Sequence, residues 1–434
     1  MKETVFADGP SPDDMIRCVH CGYCITTCPT YRTLSLEMDS PRGRIHLIQA
    51  LTEGRAEPTS RLLGHLDLCI QCRACETACP AGVSFARIME HGRALVLSRP
   101  KAAPRSWRLR ASLARSLLPH PGRLRILATF LRLYQRLGLQ WLVRSTRLLK
   151  LLPGHLYDVE QFLPPLPSKA FKPVPVVEPR AGVEPVRRVA LLTGCVTPVL
   201  YPHLHESTIR VLTRHGCQVL MPPEQTCCGA LHLHAGDLEA TRELARRNID
   251  VFLALDVEAV VVNAAGCTST LKEYAELLKG DPEYAEKAAR FAALVKDITE
   301  FLAALPLQPV MGFIQARVTY QDSCHLAHAQ GITAQPRAIL QAIPGLDFVE
   351  MERSTDCCGS GGVYNVTQPE LSLSLLRQKM KNVEETKAEI VATANTGCMM
   401  QLQAGVRRFG PKGTQVAHVV ELLDEAYLIG DKAR

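Results

Sequence analysis

The sequence predicts an α-helical domain built around two cysteine ladders, followed by a duplicated α/β module that is also rich in cysteine. Three observations carry this. The run Cys18-x2-Cys21-x2-Cys24-x3-Cys28-Pro29 recurs as Cys69-x2-Cys72-x2-Cys75-x3-Cys79-Pro80. Farther along, Gly194-Cys195, Cys227-Cys228-Gly229 and Gly266-Cys267 return as Cys324-His325, Cys357-Cys358-Gly359 and Gly397-Cys398. The second set trails the first by 129, 130 and 131 positions (195 to 324, 227 to 357, 267 to 398). So small a drift marks two equivalent units. Strand-like apolar runs precede these landmarks with helical stretches between them, the alternation expected of parallel sheets.

The ladder spacing C-x2-C-x2-C-x3-C-P is the ligand run of two-cluster bacterial ferredoxins, whose fourth cysteine ligates the other cluster. Cys18, Cys21, Cys24 and Cys79 are therefore expected to hold one [4Fe-4S] cluster. Cys69, Cys72 and Cys75 with Cys28 are expected to hold the second. Zinc sites instead pair two short C-x2-C hooks. The unit reads as an α-helical ferredoxin-like domain over residues 1–98. Between the ladders, Ser40 can cap a helix with Pro41 in its first turn, bearing Ile45, Ile48 and Leu51 and ending at Gly54. A second helix from Thr59 carries Leu62, Leu63 and Leu66, and a third from Ser84 carries Phe85, Ile88, Met89 and Leu95. Their apolar faces would lie beneath the clusters and exclude water.

Seventeen cysteines in 434 residues raise the alternative of a disulfide-rich secreted chain. Residues Met1 to Asp8 show no apolar signal segment, and disulfide scaffolds are short. Metal-bound thiolates in a reducing cytoplasm are the expectation. No apolar run approaches the ~18 residues of a membrane span, so a membrane link would be peripheral or made through a partner.

The net charge of +7 is uneven: no Asp or Glu occurs between Glu90 and Asp158, where fourteen Lys or Arg do. Residues 99–157 read as a basic amphipathic segment, split by Pro119 and Pro121 into two helices. Such a segment suits an anionic membrane or an acidic partner, or serves as a solvated spacer. No recognition motif points to nucleic acid. A Pro-rich linker follows over 158–186, then α/β units over 187–310 and 311–434.

In the α/β units, Val189–Leu192 leads to Cys195, Val260–Val262 to Cys267, Val318–Tyr320 to Cys324 and Ile390–Ala392 to Cys398. Helices are expected at 237–254, opened by Asp237, and at 369–388. Ligand sites of such sheets lie beyond the carboxyl ends of the strands. Cys195, Cys227, Cys228 and Cys267 form one candidate metal site, and Cys324, Cys357, Cys358 and Cys398 another. Each set suits a further iron–sulfur cluster or zinc, or else consists of buried thiols acting as small hydrophobes. Adjacent cysteines fit thiolates that bridge neighbouring irons, and Gly229 and Gly359 are expected to let the backbone approach a cofactor closely. His325 is placed to donate to a cluster sulfur or to ligate.

Paired ladders followed by two such cysteine-rich (CCG) domains resemble the iron–sulfur subunits of bacterial glycolate oxidase, also called glycolate dehydrogenase. The resemblance covers essentially the whole chain and is clearest at Ser40-Pro41-Arg42-Gly43-Arg44-Ile45 and in the order of the CCG segments. Similar chains serve anaerobic glycerol-3-phosphate dehydrogenase, lactate utilisation and heterodisulfide reductase. In the last of these the third segment ends C-x-x-C, whereas this chain reads Cys267-Thr268-Ser269-Thr270 and Cys398-Met399-Met400-Gln401. That departure favours an electron relay over heterodisulfide reduction.

The resemblance implies partner flavoprotein subunits carrying FAD or FMN that oxidise glycolate to glyoxylate, and also D-lactate. This chain would take electrons singly and pass them toward a quinone or another respiratory acceptor. No catalytic residue or flavin site is expected here: Gly359-Ser360-Gly361-Gly362 follows a cysteine pair and does not open a helix at a strand end. The corresponding subunit of a lactate or glycerol-3-phosphate dehydrogenase is the neighbouring reading. A zinc-stabilised assembly scaffold with two redox clusters is the reading from another class.

Overall fold

The computed structural model describes residues 9–99, 101–151, 155–182, 186–308 and 311–433. The ladder domain is helical, with its longer helices at Pro41–Thr52, Ser60–Asp67 and Phe85–Leu97. Ser40 Oγ accepts from Gly43 N at 2.9 Å with Pro41 in the first turn, and Thr59 Oγ1 accepts from Leu62 N at 3.3 Å. Ser84 stands at the expected cap position, but its side chain makes no capping bond. Ile45, Ile48, Leu51, Leu66, Ile88 and Met89 bury one another together with Cys69 and Cys75.

The Ser40–Ile45 stretch has a structural reason. A Cβ on Gly43 would sit 2.0 Å from Glu37 O, so only glycine lets the chain pass there. Arg44 is fully buried, donating from Nε to His65 O at 2.8 Å and from Nη1 to Thr30 Oγ1 at 3.0 Å. Thr30 in turn donates to Asp39 O and lies 3.2 Å from Cys28 Sγ. Arg44 therefore braces the loop that presents Cys28.

Among its described residues the basic segment holds three α-helices, where two were expected, at Arg105–Leu117, Pro121–Arg136 and Leu139–Thr146, followed by a short 3-10 helix Leu148–Leu151. The extra break is at Gly138, whose φ of +73° lies in the left-handed region. Part of the basic charge is spent inside the chain. Arg110 pairs with both oxygens of Asp67 at 3.0 Å, Arg115 with Asp237 and Arg144 with Glu160. Arg144 is thus an internal strut, not a free docking charge. The Pro-rich linker is likewise more than a spacer, since it contributes strand β1 (Val176–Val177).

Strands β2 (Arg187–Leu192), β3 (Cys217–Leu220), β4 (Ala259–Val262) and β5 (Val295–Asp297) follow, and the first sheet runs β1-β3-β2-β4-β5. The expected parallel sheet therefore carries one antiparallel edge strand, β1 against β3. Strands β6 (Ala316–Tyr320), β7 (Leu346–Phe348), β8 (Ile390–Thr393) and β9 (Gln415–His418) form an all-parallel sheet in the order β7-β6-β8-β9. Apart from β1, the two orders coincide, which is the duplication in structural form. β4 and β8 are buried along their whole length, as strands covered on both faces must be.

The helices Leu238–Leu253, capped by Asp237, and Pro369–Thr386 cover the sheets. A single apolar core joins the halves, with Leu191 and Val261 of one sheet continuous with Val318, Tyr320 and Ala392 of the other and with Val419 and Leu423. Pairs between Arg210 and Asp424 and between Arg214 and Asp431 seal the same contact from outside.

Candidate metal centres

The fold sorts the ladder cysteines into two groups. Burial pushes the Cys24 thiol above its ordinary value, and the charges of Cys18 and Cys79 reach it and push the same way. Burial likewise raises Cys72 and Cys75, and both feel Cys28 and Cys69. Cys79 therefore lies within charge range of Cys24, and Cys28 within charge range of Cys72 and Cys75. Val83 N donates to Cys79 Sγ at 3.5 Å. Buried thiols with raised pKa become thiolates only beside positive charge. Four thiols per set are the donors of a [4Fe-4S] cluster, and Glu76, whose charge reaches Cys75, is paired with Arg73.

Eight of the nine cysteines of the α/β units line one cavity of about 180 Å³ at the carboxyl ends of β2, β4, β6 and β8. The sequence suggested two separate sites; the structure turns both sets toward the same space. Cys195 and Cys227 stand 3.6 Å apart, and Cys228 and Cys267 3.0 Å. Sharing a proton with Cys195 and Cys228 holds Cys227 well below the ordinary thiol value, while Cys195 and Cys228 are raised. In the second set, hydrogen bonding to Cys357 and burial push Cys358 up to about 12, and its bond to Cys398 opposes them. Among the described residues, no group of three or more His, Cys, Asp or Glu stands ready to hold a single metal ion. The seventeenth cysteine, Cys217, is buried in β3 away from both sets and behaves as a small hydrophobe.

Gly229 and Gly359 do take positive φ, +82° and +92°. Their need for glycine comes from behind, however: a Cβ would meet Thr241 Cγ2 at 3.0 Å and Ser372 O at 2.6 Å, both on covering helices. The positions that replace the last cysteine of C-x-x-C are engaged elsewhere. Gln401 joins a buried network with Ser372 and Asn365, and Thr270 donates to Gly266 O. His325 has Nδ1 3.6 Å from Cys324 Sγ and a buried Nε2 with no partner. Burial, with the nearby charges of His234 and Arg73, holds it well below its ordinary value, so the ring is neutral.

Several participants were invisible in the sequence. Asn248 Nδ2 donates to Cys227 O at 3.1 Å and Tyr274 Oη to Cys228 O at 2.8 Å, fixing the cysteine pair from behind. Cys72 of the second ladder lies within charge range of Cys357 and Cys324. Tyr364 Oη donates to Leu68 O at 3.0 Å across that junction, Arg32 pairs with Asp356, and Arg73 bonds Glu273. No local spacing signals the contacts between the ladder domain and the α/β units, since each joins residues some 200 or more positions apart.

Family models match most of the chain. A 4Fe-4S dicluster domain matches residues 14–83, the linker region of glycolate oxidase iron-sulfur subunits matches 107–163, and the cysteine-rich domain matches twice, at 189–272 and 318–403. The probable glycolate oxidase iron-sulfur subunit of Bacillus subtilis (strain 168) is 40% identical over 97% of this chain and 96% of its own length. The glycolate oxidase iron-sulfur subunit of Escherichia coli (strain K12) is 35% identical over 95% of each. The chain belongs to the glycolate oxidase iron-sulfur subunit family. It is an iron–sulfur electron-transfer subunit whose N-terminal dicluster domain carries two [4Fe-4S] clusters. Lactate utilization protein A of Oceanobacillus iheyensis is 34% identical over 55% of this chain and 96% of its own. A crystal structure of a hypothetical protein from Helicobacter pylori shares the fold at a TM-score of 0.53 and 10% identity, over 89% of this chain and 67% of that one. No helix among the described residues is long and apolar enough to cross a membrane.

Proposed function

We propose that this family member relays electrons from a partner flavoprotein, which carries FAD or FMN and oxidises glycolate, and also D-lactate, to the corresponding 2-oxo acid. The receiving end is a quinone or another respiratory acceptor, reached at the inner face of the cell membrane by peripheral association. Cys18, Cys21, Cys24 and Cys79 would hold one [4Fe-4S] cluster, and Cys28, Cys69, Cys72 and Cys75 the second. Cys195, Cys227, Cys228 and Cys267, and Cys324, Cys357, Cys358 and Cys398, would hold further iron–sulfur groups. When bound, such groups supply one-electron transfer. A flavin is needed upstream because a 2-hydroxy acid loses two electrons as a hydride equivalent.

The observation that carries this reading is contiguity: Cys79 stands with Cys24, and Cys72 with Cys357 and Cys324, so the thiol sets adjoin from the first ladder to the second α/β unit. The protein's own part is to bury Cys28, Cys69, Cys72 and Cys75 and most of the α/β cysteines, brace Cys28 through Arg44 and keep His325 neutral beside Cys324.

Cys358→Ser in the purified complex tests the relay. Flavin bleaching by substrate in stopped flow should persist, while steady-state reduction of the acceptor should fall at least tenfold. A zinc scaffold would instead lose its fold, and metal analysis would find ~8 Fe together with Zn rather than more Fe without it. Acceptor reduction at the wild-type rate in a folded, assembled variant would sink the relay through this domain.

A further inference from the structure

A second cavity, of about 300 Å³, opens beside Cys69 and Ile70 between the ladder domain, the Arg105–Leu117 helix and the Tyr364–Thr367 turn. It shares only Leu231, His234 and Gly361 with the cysteine-lined cavity. Its wall is mostly hydrocarbon, including Trp107, Leu117 and Leu118, and at its mouth Leu113, Val363 and Val366 are exposed. Its polar lining includes Asp67, paired with Arg110, as well as His234, Tyr364 and Thr367, and within it Gln71 and Arg93 stand apart. Gln71 and Arg93 are 4% and 8% exposed, and Gln71 Oε1 and Arg93 Nε are buried with no hydrogen-bond partner. A bare buried donor or acceptor costs on the order of 1–3 kcal/mol, so the pair calls for an occupant that is apolar in body and polar at few points. Arg93 Nη1 donates to His234 O and Nη2 to Leu66 O and Cys69 O, which ties the Cys69 backbone to the cavity wall.

We propose that this cavity seats the ring of a lipid-soluble quinone, with its isoprenoid tail leaving past Leu113 and Val366. The proposal rests on the relay reading above and gives the exit of that relay a place. A quinone is a flat apolar ring with two carbonyl acceptors, and its reduced form presents two hydroxyl donors. Arg93 Nε can donate to a carbonyl of the oxidised ring, and Gln71, whose Nε2 is held by His234 O at 3.4 Å, keeps Oε1 to accept from a hydroxyl of the reduced ring. The tail would meet a surface already suited to lipid, since the helices that follow expose Ile126, Phe130 and Trp141 among arginines.

Reduction of the ring consumes two electrons and two protons, converting each C=O to C–OH. The electrons come singly from the reduced flavin of the partner, by way of the iron–sulfur groups that the thiol sets would hold, and the set containing Cys69 lies against this cavity. The protons come from solvent. His234 lines the cavity, and its Nδ1 lies 3.2 Å from Glu90 Oε1. Glu90 in turn lines a cavity of about 690 Å³ bordered by exposed Glu276 and Gly280.

The test uses the full chain with its clusters loaded and decylubiquinone, whose fully substituted ring does not add thiols. Calorimetric titration should show one saturable site, and Ala114→Phe, which projects a ring into the cavity, should weaken binding at least tenfold. A photoreactive azidoquinone on the wild-type protein should label peptides within 107–118 or 361–367, which keeps the test independent of how the variant folds. Labelling confined to other segments, or unchanged affinity in a folded Ala114→Phe protein, would overturn the site. So would equal competition by a decyl detergent without the ring, because the cavity would then be a tail groove only. If the complex reduces quinone while label and titration miss this cavity, the relay stands and the site falls. If label and titration succeed while substrate delivers no electrons to quinone, the relay reading falls and the binding site stands.

Discussion

At the scale of single residues, burial decides which titratable groups carry charge. His205, His215 and His418 are each held at about 4, by burial first. His205 Nε2 contacts Thr193 O at 3.0 Å, and His418 caps the last helix by accepting from Val420 N. Each is neutral in the folded protein and protonates near 6.5 once unfolded. Their contribution is therefore intact above about pH 6.5 and is lost as pH falls from there toward 4, at about 1.4 kcal/mol per pH unit per group. Asp297, which burial raises to about 6, opposes them only below about pH 6. His418→Asn keeps a capping side chain and removes one titration. Between about pH 7.5 and 5.5 the variant should lose about 1 kcal/mol less stability than the parent in urea unfolding. Parallel losses would mean that His418 is already charged in the folded state.

At the scale of elements, the glycine that follows each cysteine pair was legible from the sequence, but its cause was not. The expectation placed a cofactor against Gly359, whereas the structure places Ser372 O of the Pro369–Thr386 helix there. Left-handed φ alone costs a non-glycine residue about 1–3 kcal/mol, and backbone contact adds to it. Gly359→Ala should therefore destabilise by at least about 2 kcal/mol. Gly229→Ala, which meets only the Thr241 methyl group closely, should cost less. Thermal unfolding of the two variants side by side reads the order, and equal losses would leave φ as the sole cause. The basic segment shows a similar limit. Its prolines marked one break, while Gly138 made another that only the left-handed backbone reveals.

At the scale of the molecule, the helices of residues 121–146 expose Ile126, Phe130, Leu133, Leu137 and Trp141, and nothing acidic accompanies them between Glu90 and Asp158. This is the composition of a surface that rests on anionic lipid. The full chain should bind vesicles of phosphatidylglycerol in phosphatidylcholine, less well with added salt, because exposed charges are screened beyond ~8 Å at physiological ionic strength. Phe130→Asp with Trp141→Asp should abolish binding. Charge reversal at exposed Arg125 and Arg136 should weaken it at least tenfold and flatten its salt dependence. Arg144 is the wrong position for that test, because reversal there would break its bond to Glu160. Failure of the parent chain to bind vesicles at low salt would return the segment to a spacer.

The sequence by itself determined what spacing and periodicity can encode. The two ladders, the duplication and the strand before each landmark all come from short-range regularity, which backbone geometry turns into local structure. Asp237 and Ser40 as caps belong to the same class. What only the tertiary structure decided is where those pieces meet. Eight cysteines share one cavity, Cys72 stands beside Cys357, His234 joins Glu90 to the wall beside Cys69, and β1 leaves the linker to edge a sheet. These arise from packing faces against one another. A packed face is specified by shape and total burial summed over distant segments, and it leaves no period for a single sequence to show.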